Sequence, residues 1–160
     1  MIKTRQWKTL LVVVAGFILS TLLIVRANVP TPAPAPGAQV AFVPVDMYLD
    51  SGTNHLGSYQ VEVIAKDATI VGLEGGESQA FSGAPYYDPA ALQGNKIIVA
   101  SFSTDDNLPT GLTRIARLHM MSSAGGGMPE MTQKLVVATD GEGNSVDAKL
   151  TLRPMQGETR

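Results

Sequence analysis

The chain has 160 residues, 44% of them apolar and 16% charged, with 10 prolines, 16 glycines and no cysteine. That length holds one ordinary domain, and the missing cysteine excludes disulfides, thiolate catalysis, Cys-ligated zinc and anchoring as a bacterial lipoprotein. From Asn28 onward 8 Lys and Arg stand against 14 Asp and Glu, a net charge of −6, which argues against nucleic acid or an anionic lipid surface as the partner of that part.

Leu10 to Val25 is an apolar run of 16 residues, preceded by Lys3, Arg5 and Lys8 and followed by Arg26. The charge asymmetry predicts that residues 1–9 stay cytoplasmic and that the chain beyond is exported. Its length lies between a signal-peptide core of about 7 to 15 residues and a spanning helix of about 20. We read residues 10–26 as an uncleaved signal anchor, a transmembrane helix with snorkelling ends; cleavage after Val25-Arg26-Ala27 is the alternative. Either way a periplasmic or extracellular C-terminal domain is expected. Residues 27–38 carry alternating prolines, the composition of an extended polyproline II spacer.

The predicted domain spans residues 39–155, followed by a short tail at 156–160. Val40 to Leu49 reads as a first strand, with Val43, Val45, Met47 and Leu49 on its apolar face. After the turn-forming run Asp50 to Asn54, Tyr59, Val61 and Val63 alternate with Gln60 and Glu62 in a half-buried second strand. Lys66-Asp67 breaks the chain before a third apolar run, Ala68 to Leu73, which Glu74-Gly75-Gly76 closes. Ser78 to Phe81 is a short strand candidate. Asp88 stands as N-cap and Pro89 as first residue of one short helical turn.

Lys96 to Phe102 and Gly111 to Met121 are further strands; in the second, Leu112, Ala116, Leu118 and Met120 are expected to face inward. Lys134 to Thr139 and Ser145 to Leu152 form a final pair, joined by the glycine-rich hairpin signal Asp140 to Asn144. About seven to nine short strands, with almost no helix, predict an all-β fold, a two-layer antiparallel β-sandwich preceded by one N-terminal hydrophobic helix.

With the strands laid out, the domain resembles a cohesin-type module of the carbohydrate-binding-module superfamily. Val45 to Leu49, Leu56 to Val63, Ile70 to Gly76, Lys96 to Phe102 and Thr113 to His119 carry the resemblance, which runs from about Val40 to Leu152 in strand order and spacing. It includes the glycine and aromatic that open the second strand. The resemblance implies a jelly-roll sandwich, shortened by one or two peripheral strands, and a non-catalytic receptor for another envelope or extracellular protein, dockerin-like or other.

Candidate contacts are Tyr86, Tyr87, Asp105, Asp106, Met128 and Met131, all expected in loops. Exposed tyrosines suit an interface or the face of a sugar ring, so polysaccharide is the alternative partner. Leu49-Asp50-Ser51-Gly52-Thr53 matches the signature of aspartic proteases, which in retropepsin-like homodimers pair one Asp from each subunit; the same residues are those any β-turn prefers. His55 and His119, the two histidines, have no second ligand nearby in sequence. The run from His119 through Met120, Met121, Met128 and Met131 offers thioethers to Cu(I), although packing explains it more simply. Asp140, Glu142, Asn144 and Asp147 space oxygens as a calcium loop does, a question the hairpin reading leaves open. No metal site and no cofactor is assigned.

Overall fold

The computed structural model describes residues 40–122 and 127–155, all within one compact unit. The predicted basic tail, hydrophobic helix, Pro-rich linker and C-terminal tail lie outside the described residues. Among those that are described, no helix is long and apolar enough to cross a membrane.

Eight strands follow one another: β1 (Ala41–Asp50), β2 (Ser58–Ala65), β3 (Ala68–Gly75), β4 (Tyr86–Tyr87), β5 (Lys96–Phe102), β6 (Leu112–Ser122), β7 (Met131–Thr139) and β8 (Lys149–Pro154). They form two four-stranded sheets, ordered β3-β6-β1-β8 and β4-β5-β2-β7, and every pairing is antiparallel. This is the predicted all-β architecture of two antiparallel sheets. The second and third strands lie in different sheets. Only Lys66 and Asp67 separate them, and Asp67 takes φ +55°, a left-handed conformation that Asp tolerates better than most residues.

The period-two patterns place the core. Val43, Val45, Met47 and Leu49 of β1 face Tyr59, Val61 and Val63 of β2 across the sandwich, joined by Ile97 and Val99 of β5 and by Leu118 and Met120 of β6, all buried. Each such side chain contributes about 1.5–3 kcal/mol by leaving water. Ser78 to Phe81 is not a strand: Gln79–Phe81 is a 3-10 turn that drops Phe81 into the core, edge-on to Tyr59 with ring centroids 5.2 Å apart. The turn at Pro89–Ala91 forms as predicted, with the Asp88 carboxylate accepting the Ala90 N–H at 2.9 Å.

Two expectations need correction. In β6, Leu112 does not share the inner face with Ala116. Met47 pairs with Ala116 and Tyr48 with Arg114, so Ile115 is an extra residue that reverses the alternation. Thr113 and Ile115 therefore point inward on one side of the bulge, and Ala116, Leu118 and Met120 on the other, while Leu112 is 46% exposed. Nor do the last two strands pair as a hairpin. Asp140–Asn144 closes a tight turn with one bridge, Thr139 to Ser145, after which the chain leaves β7 for the other sheet, where β8 pairs with β1.

Candidate functional site

The two outer faces differ in chemistry. On the β3-β6-β1-β8 sheet the outward side chains at the middle of the strands are charged, with Glu74, Arg117 and Asp46 in register, while Phe42 and Leu112 are exposed near the strand ends. On the β4-β5-β2-β7 sheet apolar side chains are exposed on β4, β5 and β7, while the central strand β2 turns Ser58, Gln60 and Glu62 outward between them. β5 is apolar on both faces: Ile97 and Val99 are buried, while Ile98 and Phe102 are 42% and 63% exposed. Register lines up Tyr86, Ala100, Gln60 and Val137 across all four strands. Tyr86 is 70% exposed, and its ring lies parallel to that of Phe102, 8° between planes and 6.2 Å between centroids. Val136, which opposes no residue of β2 where the register shifts, is exposed beside Val137. Ile64 extends the apolar surface at its far end. Glu62 divides it, paired to Lys96 at 2.7 Å. Exposed aromatic and aliphatic side chains grouped on two neighbouring strands, as Tyr86, Ile98 and Phe102 are on β4 and β5, mark contact surfaces more than they mark an ordinary solvent-facing sheet.

The predicted contacts are dispersed. Tyr86 and Tyr87 form β4 itself and are not in a loop; alternation sends Tyr86 outward and packs the half-buried Tyr87 against the core. Met131 is likewise no loop residue. It opens β7 opposite Ala65 and packs on the core. Met128 is exposed just before it. Asp105 and Asp106 lie in the exposed loop after Phe102, at the opposite end of the sheet, because Phe102 pairs with Ser58 at the start of β2 and Met131 with Ala65 at its end. The structure thus brings Tyr86 together with Phe102, with Ile98 exposed on the same face of β5. The signal for these partners was the unbroken apolar run of β5: once Ile97 and Val99 are assigned inward, Ile98 and Phe102 must face out.

The residues singled out for chemistry have local roles. Asp50 ends β1 exposed, and its carboxylate accepts the Gly52 N–H at 3.0 Å, a turn contact. Asp140 Oδ1 accepts the backbone N–H groups of Glu142 and Asn144 at 2.9 and 2.8 Å, and Oδ2 the Asn144 side-chain amide at 2.9 Å. Those donors, the Asn144 side chain first, hold its carboxyl below the usual range. His55 Nδ1 lies 3.1 Å from the Leu108 carbonyl. His119 Nε2 meets Glu74 at 2.8 Å, and Met120 is buried in the core. Among the described residues, no group of three His, Cys, Asp or Glu side chains is placed to hold a metal ion.

Comparison with known proteins gives one informative likeness. Neither a scan of protein families nor a search of curated proteins matches the chain. Among solved structures, it is similar to a non-cellulosomal cohesin from the hyperthermophilic archaeon Archaeoglobus fulgidus, with a TM-score of 0.53 and 18% identity over 68% of this chain and 75% of that one. At that identity the likeness is one of fold: the described domain is a cohesin-like β-sandwich.

Proposed function

We propose that this chain is a non-catalytic binding module that receives a protein partner on the outer face of the β4-β5-β2-β7 sheet, tethered to the cell envelope through its N-terminal apolar segment. The observation that carries this reading is the exposed apolar surface centred on Tyr86 and Phe102. Aromatic anchors amid smaller apolar side chains, with charged groups interspersed, have the composition of an interface core and rim. The cohesin-like fold agrees, since the solved neighbour is itself described as a cohesin. The apolar run of residues 10–26 and its basic flank support export and retention at a membrane.

A second reading rests on the parallel Tyr86 and Phe102 rings, an arrangement on which a sugar can stack. One experiment separates the two. The full chain in detergent is used as bait for an envelope extract and, in parallel, for a panel of polysaccharides, beside a Tyr86→Ser, Phe102→Ser double variant. Capture of one protein that then binds the purified chain directly, and is lost with the double variant, supports the protein reading. Retention on a polysaccharide with the same loss moves the function to glycan binding. Capture of either kind that is indifferent to the double variant removes this face from the function.

A further inference from the structure

The opposite sheet carries a charge pattern of its own. Glu74, Arg117, Asp46 and Arg153 sit in register across β3, β6, β1 and β8, alternating in sign. The inner members satisfy one another. Arg117 forks onto Asp46, Nε to Oδ1 at 2.6 Å and Nη2 to Oδ2 at 3.2 Å, with Nη1 4.0 Å from Glu74. Glu74 in turn meets His119.

Arg153 stands apart from this exchange. Its guanidinium lies 5.0 Å over the Tyr48 ring, and among the described residues it has no carboxylate within ion-pair distance. It faces an open cavity of about 360 Å³ lined by Asp46, Tyr48, Arg117, Arg153, Pro154 and Met155. Two guanidinium groups against one carboxylate leave this lining cationic on a domain that is otherwise acidic. Since Arg117 has committed its fork to Asp46, the recognition chemistry falls to Arg153. A guanidinium held over an aromatic ring without a carboxylate partner keeps N–H groups available, and their fork matches the bidentate geometry of a carboxylate. Met155, 41% exposed, and Pro154 offer an apolar wall to whatever bears that group.

We propose that the Arg153–Tyr48 cavity is a carboxylate-binding subsite that takes an anionic group carried on a small apolar or aromatic body. It is independent of the apolar face on the other sheet and does not rest on the function proposed for that face. The test is ligand-observed fluorine NMR of the full chain in detergent with 4-fluorobenzoate, with 4-fluorobenzamide as neutral control and R153Q protein in the same detergent as the control for partition. Saturable broadening of the benzoate signal, absent for the amide and weakened about tenfold or more in R153Q, is the expected result; Tyr48→Leu should weaken it about threefold. Displacement by an acetylated glutamate amide would identify an acidic peptide side chain as a source, and displacement by free organic acids alone would identify a small metabolite-like acid. Equal broadening by acid and amide, no saturation, or an unchanged R153Q protein would overturn the subsite.

Discussion

The Asp46 carboxylate, although buried, is gripped by Arg117 from the neighbouring strand through two hydrogen bonds of 2.6 and 3.2 Å. The two partners are unequally placed, with 8% of the Asp46 side chain exposed against 23% for Arg117. Removing the arginine therefore strands the deeper charge. Arg117→Ala should cost about 2–4 kcal/mol of unfolding free energy, and Asp46→Asn, which keeps a hydrogen-bonding partner, less. Denaturant unfolding at neutral pH measures both. Equal losses would show that burial does not govern the pair.

Tyr59 gives a test in alkali. Its hydroxyl donates to the Ile115 carbonyl at 3.0 Å inside the core, and burial pushes its ionisation well above that of a free tyrosine. The unfolded chain then releases the phenolic proton at a lower pH than the folded one. Stability is unaffected below the unfolded pKa of about 10 and falls as pH rises beyond it, by up to about 1.4 kcal/mol per pH unit. Tyr59→Phe should be less stable than the parent at pH 7 by about 1 kcal/mol, and the gap should narrow as pH is raised above 10. A gap that stays constant would mean Tyr59 ionises as freely folded as unfolded.

Gly57 is required for space. A Cβ there would collide with the backbone carbonyl of Asp140, whereas one at Gly83 would meet nothing within 4 Å. The crowding is between main chains, which cannot step aside as a side chain can. Gly57→Ala should destabilise the domain by about 3 kcal/mol, and Gly83→Ala should change it by about 0.5 kcal/mol or less. Thermal unfolding of the two variants side by side decides the matter.

Neighbouring tyrosines should behave differently. Tyr86 is exposed and Tyr87 packs on the core. The double variant Tyr86→Ser, Phe102→Ser should unfold within about 0.5 kcal/mol of the parent, while Tyr87→Ala should lose about 1–3 kcal/mol. Loss of partner capture in the double variant could then be assigned to contact. A marked loss of its stability would instead make the exposed rings part of the fold.

Most of the fold was legible because period-two alternation records which side of each strand is dry. Val43 to Leu49 and Tyr59 to Val63 show this directly. Alternation carries no information about an inserted residue, so Ile115 shifted the assignment of Leu112. Nor does a local turn signal say which sheet the next strand will enter: Asp140 to Asn144 forms the turn its glycines promise, yet β8 finds β1. Phe81 escaped for a related reason, since a single aromatic in a four-residue segment, Ser78 to Phe81, has no period. The site was less legible than the fold. Tyr86 stood out as a candidate contact beside a turn, but Phe102 joins it only through the pairing of β4 with β5. Arg153 gave no local sign, because its neighbours Tyr48 and Asp46 lie about a hundred residues earlier in the chain.

The register shift at Val136 has a bearing on solubility. β7 is an edge strand of the sheet that exposes Tyr86, Ile98 and Phe102, and a second molecule approaching that edge meets a strand interrupted at Val136. A smooth edge beside such a face would let copies join strand to strand and stack into ever longer sheets. The irregularity breaks that continuation, so the domain can expose aromatic side chains on this sheet without copies joining strand to strand along its β7 rim.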